Sequence, residues 1–155
     1  MLKLPALDPS TLEEKGGSTY PEPYRSRVAG RTRRRLAPAL ALTKLGVNLT
    51  TLAPGAQSAL RHWHTQDDEF VYVLEGEVVL ATNDGEQTLK AGQCAGYPAG
   101  SRDGHHFVNR SGKPARYLEV SSKAPGDTAF YPDDDLFLLE TEDGRVMAHK
   151  DGRRY

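Results

Sequence analysis

Glycine and proline interrupt this chain so often that few long helices can form. The 155 residues include 15 glycines and 10 prolines, and both types are poor helix formers. From residue 44 onward, short apolar or alternating segments recur between turn-forming sequences such as NDGE (83–86). This texture is typical of short strands joined by turns. It predicts an all-β, antiparallel sandwich or barrel built from hairpins.

One folded domain with extensions at both ends is expected. The length and the 37% hydrophobic content suffice for a single core. Residues 1–40 hold five prolines and an arginine-rich run without a sustained pattern, so we interpret them as an extended N-terminal arm with one short helical turn near 8–15. The core is expected over 41–125, and a short acidic C-terminal tail that packs on it over 126–155.

Composition also limits the partners and the compartment. A formal net charge of −1 provides no basic face, so neither nucleic acid nor a membrane is predicted as a partner. The first 15 residues hold no apolar stretch long enough for a signal peptide or anchor, which favours a cytoplasmic protein. Cys94 is the single cysteine, and we expect it to be a small buried residue.

The two ends of the chain carry opposite charge. Residues 1–40 have eight Lys and Arg against four Asp and Glu, and residues 126–155 have four against eight. One interpretation is that the arginine run 31–35 docks on the core near the acidic tail. The other is that these arginines clamp an anionic ligand, since guanidinium groups match oxyanions in bidentate geometry.

The segment EFVYVLE (69–75) is apolar at odd and even positions alike. A strand of this kind is covered on both faces. One face is expected to line the core, and the other carries Phe70, Tyr72 and Leu74. Because a lone domain would leave that face in water, we expect a homodimer, with cover by the N-terminal arm as the alternative.

Two histidines one residue apart, His62 and His64, are the main chemical signal. On a strand, side chains at i and i+2 share a face about 6–7 Å apart, so both imidazoles can reach one ion while Trp63 points away. The tetrad TQDD (65–68) is a plausible turn. Glu69 would then begin an antiparallel strand and bring its carboxylate beside the pair. A fourth ligand is expected from the adjacent histidines 105 and 106.

The spacing of these residues resembles that of the cupin superfamily. The resemblance covers residues 44–121 and implies a double-stranded β-helix, or jelly-roll, barrel with a metal site. The first motif is matched by Gly55, His62, His64, Glu69 and Gly76, and the second by Gly92, Pro98, Gly100, His105 and Asn109.

The second motif departs from the family pattern in one place. Four residues, rather than the usual two, separate Gly100 from His105. The spacing to Asn109 selects His105, and adjacent strand residues cannot both face inward. We therefore favour His105 over His106 and predict the ligand set His62, His64, Glu69 and His105. A cupin that has these residues but works without metal is the alternative.

Three neutral imidazoles and one carboxylate suit a divalent Mn, Fe, Ni, Zn, Co or Cu ion, and we expect one per chain. Four protein ligands leave positions open for a small-molecule ligand. Candidates for contacting that ligand are His106, Tyr97 and Arg102, and no catalytic residue is assigned.

Two classes of function follow from this site. The chain resembles single-domain bacterial cupins described as sugar-phosphate isomerases or as regulators. It is expected to be a metalloenzyme of isomerase or oxygenase type, acting on an oxygen-rich, anionic molecule such as a sugar phosphate or keto acid. The alternative is a non-catalytic ligand-binding or regulatory cupin. It would lack its own DNA-binding domain, because residues 1–40 are too rich in proline and glycine for a helix-turn-helix.

Overall fold

The computed structural model describes residues 2–142 and 144–155. Nearly all regular structure in this part is β, as the glycine and proline content predicts. A single short α-helix, α1 (Leu36–Ala39), and two 3₁₀ turns (Pro9–Thr11 and Tyr24–Val28) accompany the strands. The strands are β1 Lys15–Gly16, β2 Arg31–Arg35, β3 Leu45–Leu52, β4 Trp63–His64, β5 Glu69–Glu75, β6 Glu77–Thr82, β7 Gly85–Lys90, β8 Cys94–Tyr97, β9 His106–Val108, β10 Ala115–Ser122, β11 Ala129–Tyr131, β12 Leu136–Thr141 and β13 Gly144–Ala148.

The described strands form three sheets, and every paired neighbour is antiparallel. The largest sheet has the order β1-β2-β3-β10-β5-β8, a second has the order β13-β12-β11-β4, and the third is β7-β6-β9. Hydrogen bonding among these strands does not close into a barrel. The architecture is instead a β-sandwich, and the all-β antiparallel prediction is confirmed.

The main core lies between the six-stranded and three-stranded sheets. Val71 and Val73 of β5 face it and are almost fully buried, as are Val78 and Leu80 of β6. Burying one such side chain contributes roughly 1.5–3 kcal/mol. The alternation of β5 therefore fixes which of its faces is internal.

The opposite face of β5 is open in the single chain. Phe70, Tyr72 and Leu74 are 41%, 38% and 49% exposed. Cys94 on β8 lies opposite Tyr72 on β5 and is also exposed. The expectation of a buried cysteine is therefore wrong. The apolar character of its neighbours does not bury it, because β8 is the edge strand of its sheet.

The arginine-rich run forms strand β2, which its sequence pattern does not predict. It adds to the sheet beside β3, with Arg33 opposite Thr50. Backbone pairing with β3 overrides the weak strand preference of the arginines, and nearby carboxylates balance part of their charge. Arg34 lies 2.9 Å from Glu14, and Arg33 lies 2.8 Å from Glu119.

Residues from both ends of the chain share a second core. Tyr20 and Val28 pack with Leu60 and with Tyr131 and Leu136 of the tail strands. Ion pairs also join the ends to each other and to the core, since Arg27 contacts Asp134 and Arg61 contacts Asp133. The acidic residues of the tail thus meet Arg27 and Arg61 rather than the arginines of β2. Among the described residues, no helix has the length and apolar character that a membrane crossing requires.

Candidate metal centre

The four side chains predicted as ligands converge at one point. The Nε2 atom of His105 lies 3.0 Å from Oε2 of Glu69. The Nε2 atoms of His62 and His64 lie 3.9 and 3.8 Å from the same carboxylate. His62, Glu69 and His105 offer ligand atoms that all lie within 4.8 Å of one another. The structure therefore brings His62, Glu69 and His105 into one group and places His64 against the same carboxylate, with Asp67 and Asp127 on its other side.

The route by which they meet differs from the predicted hairpin. His64 lies on β4, which pairs with β11, whereas Glu69 begins β5, which pairs with β8 and β10. The two strands belong to different sheets, so the hairpin prediction is wrong. His62 is held to His105 by a reciprocal pair of backbone hydrogen bonds of 3.1 and 2.9 Å. The centre is assembled across the sandwich and not within one turn.

Hydrogen bonds at the other ring nitrogens fix the tautomers. The Nδ1 atom of His62 lies 2.8 Å from the Leu60 carbonyl oxygen, and that of His105 lies 3.3 Å from the Asp103 carbonyl oxygen. The Nδ1 atom of His64 lies 2.6 Å from Asp127. Because these oxygens only accept, the Nδ1 atoms of His62 and His64 carry the proton and their Nε2 atoms present lone pairs toward Glu69. The Nδ1 contact of His105 leaves its Nε2 atom, which faces Glu69, available to a cation in the same way.

The electrostatics of the centre suit a cation. Burial lowers the pKa of His62 to about 4, so this imidazole is neutral at pH 7. Burial raises the pKa of Glu69, but the contact with His105 and the positive potential of the histidines outweigh it and bring the pKa to about 2. Glu69 Oε2 is buried and accepts no hydrogen bond from the described residues. Lone pairs directed at a buried, ionised carboxylate fit a divalent transition ion.

The three candidate ligand-contacting residues occupy different places. Tyr97 stacks on His105 with ring centroids 3.4 Å apart and lines the cavity at the centre. His106 faces away and lies 3.1 Å from the Ala59 carbonyl oxygen through Nδ1. Arg102 lies over the ring of Trp63, 6.0 Å from its centroid. Only Tyr97 of the three lines the cavity, and His105 rather than His106 faces Glu69.

A cavity of about 290 Å³ opens beside the centre. One part of its wall is aromatic, with Tyr20, Tyr97 and Tyr131. Another part is polar and includes Arg31 and Glu119. Burial lowers the pKa of Arg31 from its ordinary value. Of these cavity residues, the sequence motifs identified only Tyr97 as a candidate for contacting a ligand. The arginine-rich run 31–35 was the one sequence feature that indicated a ligand role for Arg31.

A second group of possible ligands surrounds Asp127. His64, Asp67 and Asp127 lie within 4.8 Å of one another, and Arg145 is 3.6 and 3.9 Å from the two carboxylates. The oxygens of Asp127 already accept hydrogen bonds from His64 and from the backbone N–H groups of Gln66 and Asp67. This group therefore orients His64.

Comparison with known proteins places the fold and the motifs in one family. A family model described as a cupin domain matches residues 48–121. The crystal structure of a protein from Silicibacter pomeroyi DSS-3, described as a sugar phosphate isomerase from a cupin superfamily, is 42% identical. The match covers 97% of this chain and 96% of that protein's chain, with a TM-score of 0.93. The chain belongs to the cupin superfamily.

Two further matches concern polyketide proteins. The tetracenomycin polyketide synthase protein TcmJ of Streptomyces glaucescens is 33% identical over 101 residues, which is 64% of this chain and 66% of that protein. The polyketide cyclase RemF of Streptomyces resistomycificus is 21% identical, covers 82% of this chain and 84% of its own, and has a TM-score of 0.63. The likeness to RemF concerns the fold alone.

Two motif residues outside the predicted ligand set have structural roles in this cupin. Gly76 has a φ of +72°, and a Cβ atom there would lie 3.0 Å from the Pro114 carbonyl oxygen. Asn109 is fully buried and donates to the carbonyl oxygens of Leu52 and Lys113. These residues fix the turns between strands, so the motif spacing preserves the positions of the ligand-bearing segments.

Proposed function

We propose that this cupin is a metal-dependent isomerase acting on a small, oxygen-rich anion of the sugar-phosphate class. The observation that carries the proposal is the convergence of three imidazole lone pairs and one carboxylate beside a cavity with an arginine in its wall. The likeness to the Silicibacter pomeroyi protein supports the reaction type. An oxygenase acting on a keto acid is the alternative that the same ligand set would serve.

His62, His64, Glu69 and His105 would hold one divalent ion. When bound, such an ion polarises a carbonyl or hydroxyl oxygen and stabilises negative charge that develops on it. The second nitrogen of each histidine is already hydrogen-bonded, which holds the rings in the orientation that binding requires. Little reorganisation of these side chains is therefore needed.

Tyr97 is suited to donate a hydrogen bond to the ligand. Burial raises the pKa of its phenol well above the ordinary value, and the charge of Glu69 adds to this effect. The hydroxyl group therefore stays protonated at neutral pH. It is buried and has no hydrogen-bond partner among the described residues. A ligand oxygen in the cavity would satisfy it.

Isomerisation moves a proton between neighbouring atoms of the substrate and needs a proton carrier. Glu119 lines the cavity and belongs to neither the ligand set nor the Asp127 group. Its Oε1 atom lies 2.8 Å from Arg33 and 2.9 Å from Asn48. Its Oε2 atom has only a 3.5 Å contact with Arg33. We assign the proton-carrying role to Glu119, with Oε2 as the reacting oxygen.

The test is an isomerase assay of metal-loaded protein on a panel of aldose and ketose phosphates. Glu119→Gln should keep its metal content while kcat falls by about 100-fold or more. Glu86→Gln is the matched control, because Glu86 is exposed and pairs only with Arg110. Absence of turnover on every sugar phosphate, in protein that contains metal, would contradict the proposed reaction.

The similarity to TcmJ favours one second candidate, a cupin that binds an aromatic polyketide. The aromatic part of the cavity wall is compatible with such a ligand. However, the cavity volume lies at the lower end of the range for ligand pockets, which favours a smaller molecule. Tighter binding of a polycyclic aromatic polyketide than of any sugar phosphate would select this candidate.

A further inference from the structure

Arg31 is a buried cation that forms no ion pair with any described carboxylate. It is 7% exposed, and its guanidinium donates only to the carbonyl oxygens of Ser58 and Gly17. Carbonyl groups offset part of the cost of burying a charge, but the charge itself stays unbalanced. Arginines in protein interiors normally have an acidic partner. An anionic group of a bound ligand is therefore a candidate for the partner that Arg31 lacks.

The remaining surface of Arg31 belongs to the cavity beside the metal centre. Arg33 lines the same cavity, because residues two apart on strand β2 share a face. Arg33 is paired with Glu119 at 2.8 Å. Two guanidinium groups and one carboxylate thus form this part of the wall, which leaves it with a net positive charge.

The charge balance of the whole cavity leads to the same conclusion. Its lining holds three arginines and three carboxylates, and a fourth carboxylate, Asp127, lies behind the wall against His64 and Arg145. Neutral histidines that present lone pairs add no charge. A divalent ion at the proposed centre would therefore leave the cavity and its Asp127 neighbour with surplus positive charge, which an anionic ligand neutralises. The charged lining residues are Arg31, Arg33, Arg145, Asp67, Glu69 and Glu119.

We propose that Arg31 and Arg33 form an anion subsite, and that the ligand is the phosphate monoester of a small polyhydroxylated molecule. The phosphate lies against the guanidinium groups, which bind its oxygens in bidentate geometry, and the hydroxyl or carbonyl oxygens face the histidine–glutamate set. A phosphate monoester has a charge of about −1.5 to −2 at pH 7 and three acceptor oxygens, so it can pair with both guanidinium groups. This inference rests on the proposed function and assigns its substrate group to two residues.

The same strand supplies a matched control. Arg34 points to the other side of β2, where it pairs with Glu14 and donates to the Leu12 carbonyl oxygen. Arg35 is exposed and does not line the cavity. The arginine run is therefore divided between the cavity and the surface, and Arg35→Gln removes an equal charge from the same strand outside the subsite.

The experiment is calorimetric titration of metal-loaded protein with inorganic phosphate. The variants are Arg31→Lys, Arg33→Gln and Arg35→Gln, each checked for melting temperature and metal content. We expect Arg31→Lys and Arg33→Gln to weaken phosphate binding by about tenfold or more, and Arg35→Gln to leave it within about twofold of wild type. Arg31→Lys keeps the buried charge, and Arg33→Gln alters a half-buried residue, so the test does not depend on one variant folding.

Three results would overturn the subsite. Wild-type protein that binds no phosphate is the first. The second is a lowered melting temperature with unchanged phosphate affinity in both Arg31→Lys and Arg33→Gln, the two cavity variants. It would mean that these arginines only hold the N-terminal segment against the core. The third is tighter binding of malonate than of phosphate, which would make the ligand group a carboxylate.

The outcomes for the subsite and for the isomerase are separable. Phosphate binding that depends on Arg31 and Arg33, without turnover of any sugar phosphate, supports the subsite and rejects the isomerase. Turnover of a sugar phosphate with unchanged KM in both cavity variants supports the isomerase and rejects the subsite.

Discussion

The Nδ1 atom of His64 lies 2.6 Å from Oδ2 of Asp127, a carboxylate with no solvent exposure. Asp127 precedes strand β11, beyond the segment that the cupin family model matches. Burial raises the pKa of Asp127, but its hydrogen bonds from Gln66, His64 and Asp67 outweigh this effect and lower the pKa overall. An ionised Asp127 keeps the His64 proton on Nδ1. The C-terminal segment thus orients one of the proposed metal ligands.

Removing this charge should weaken metal binding. We expect Asp127→Asn to lower the affinity for a divalent ion by about 10- to 100-fold, the usual effect of losing a hydrogen-bond partner of a ligating histidine. Competition with a chelator measures the affinity, and the visible spectrum of the cobalt-substituted protein reports the ligand geometry. Asp151→Asn is the control, because Asp151 is an exposed tail carboxylate that bonds only to Arg153. An unchanged affinity and cobalt spectrum in Asp127→Asn would contradict the orienting role.

The stability of the metal-free protein should fall in acid. His62 has a folded-state pKa of about 4, below the ordinary 6.5, so between these values the unfolded chain binds a proton that the folded chain does not. Stability is therefore lost as the pH falls through this window. Glu69, with its pKa lowered to about 2 from 4.5, adds a further loss below pH 4.5. Both groups act in the same direction.

Thermal melting of chelator-treated protein at pH 7.0, 5.5 and 4.5 measures this dependence. We expect the melting temperature to decrease along the series, and the decrease between pH 7.0 and 5.5 to be smaller in His62→Gln. His149→Gln is the control, because His149 lies outside the centre and bonds to the exposed Asp135. Identical pH profiles for wild type and His62→Gln would exclude His62 as the titrating group.

The residues of the proposed ligand set could be selected from the sequence because their spacing is a property of short segments. The spacing of His62, His64 and Glu69 and the position of His105 before Asn109 are local properties. The strands with which these segments pair are not local properties, and the predicted hairpin between residues 64 and 69 is therefore wrong. The histidines and Glu69 nevertheless lie close together, as the hairpin would have required. Each of the two segments pairs with strands that lie far along the chain, β4 with β11 and β5 with β10.

The remaining features of the site depend on long-range contacts. Asp127 is 63 residues from His64, and neither position contains a signal for the other. Strand β2 forms because Arg31–Arg35 adds to β3, and its alternation decides which arginines face the cavity. The exposure of Cys94 depends on β8 being an edge strand. No local pattern encodes these relations.

The exposed apolar face of β5 should be an interface between two copies of the chain. Phe70, Tyr72 and Leu74 present a strip that water would otherwise contact. Light scattering at micromolar concentration should give the mass of a dimer, and Tyr72→Glu should convert it to a monomer with unchanged metal content. A monomer mass for the wild-type protein would reject the homodimer.

Metal content tests the proposed centre most directly. Elemental analysis of untagged protein never exposed to chelator should give about one divalent transition ion per chain, and His62→Ala/His64→Ala should lose it. A control double substitution, His106→Ala/His149→Ala, should keep the ion, because neither residue faces Glu69. Less than about 0.1 ion per chain in the wild-type protein, against the full occupancy typical of such sites, would contradict the metal centre. Full occupancy in His62→Ala/His64→Ala would contradict the ligand assignment.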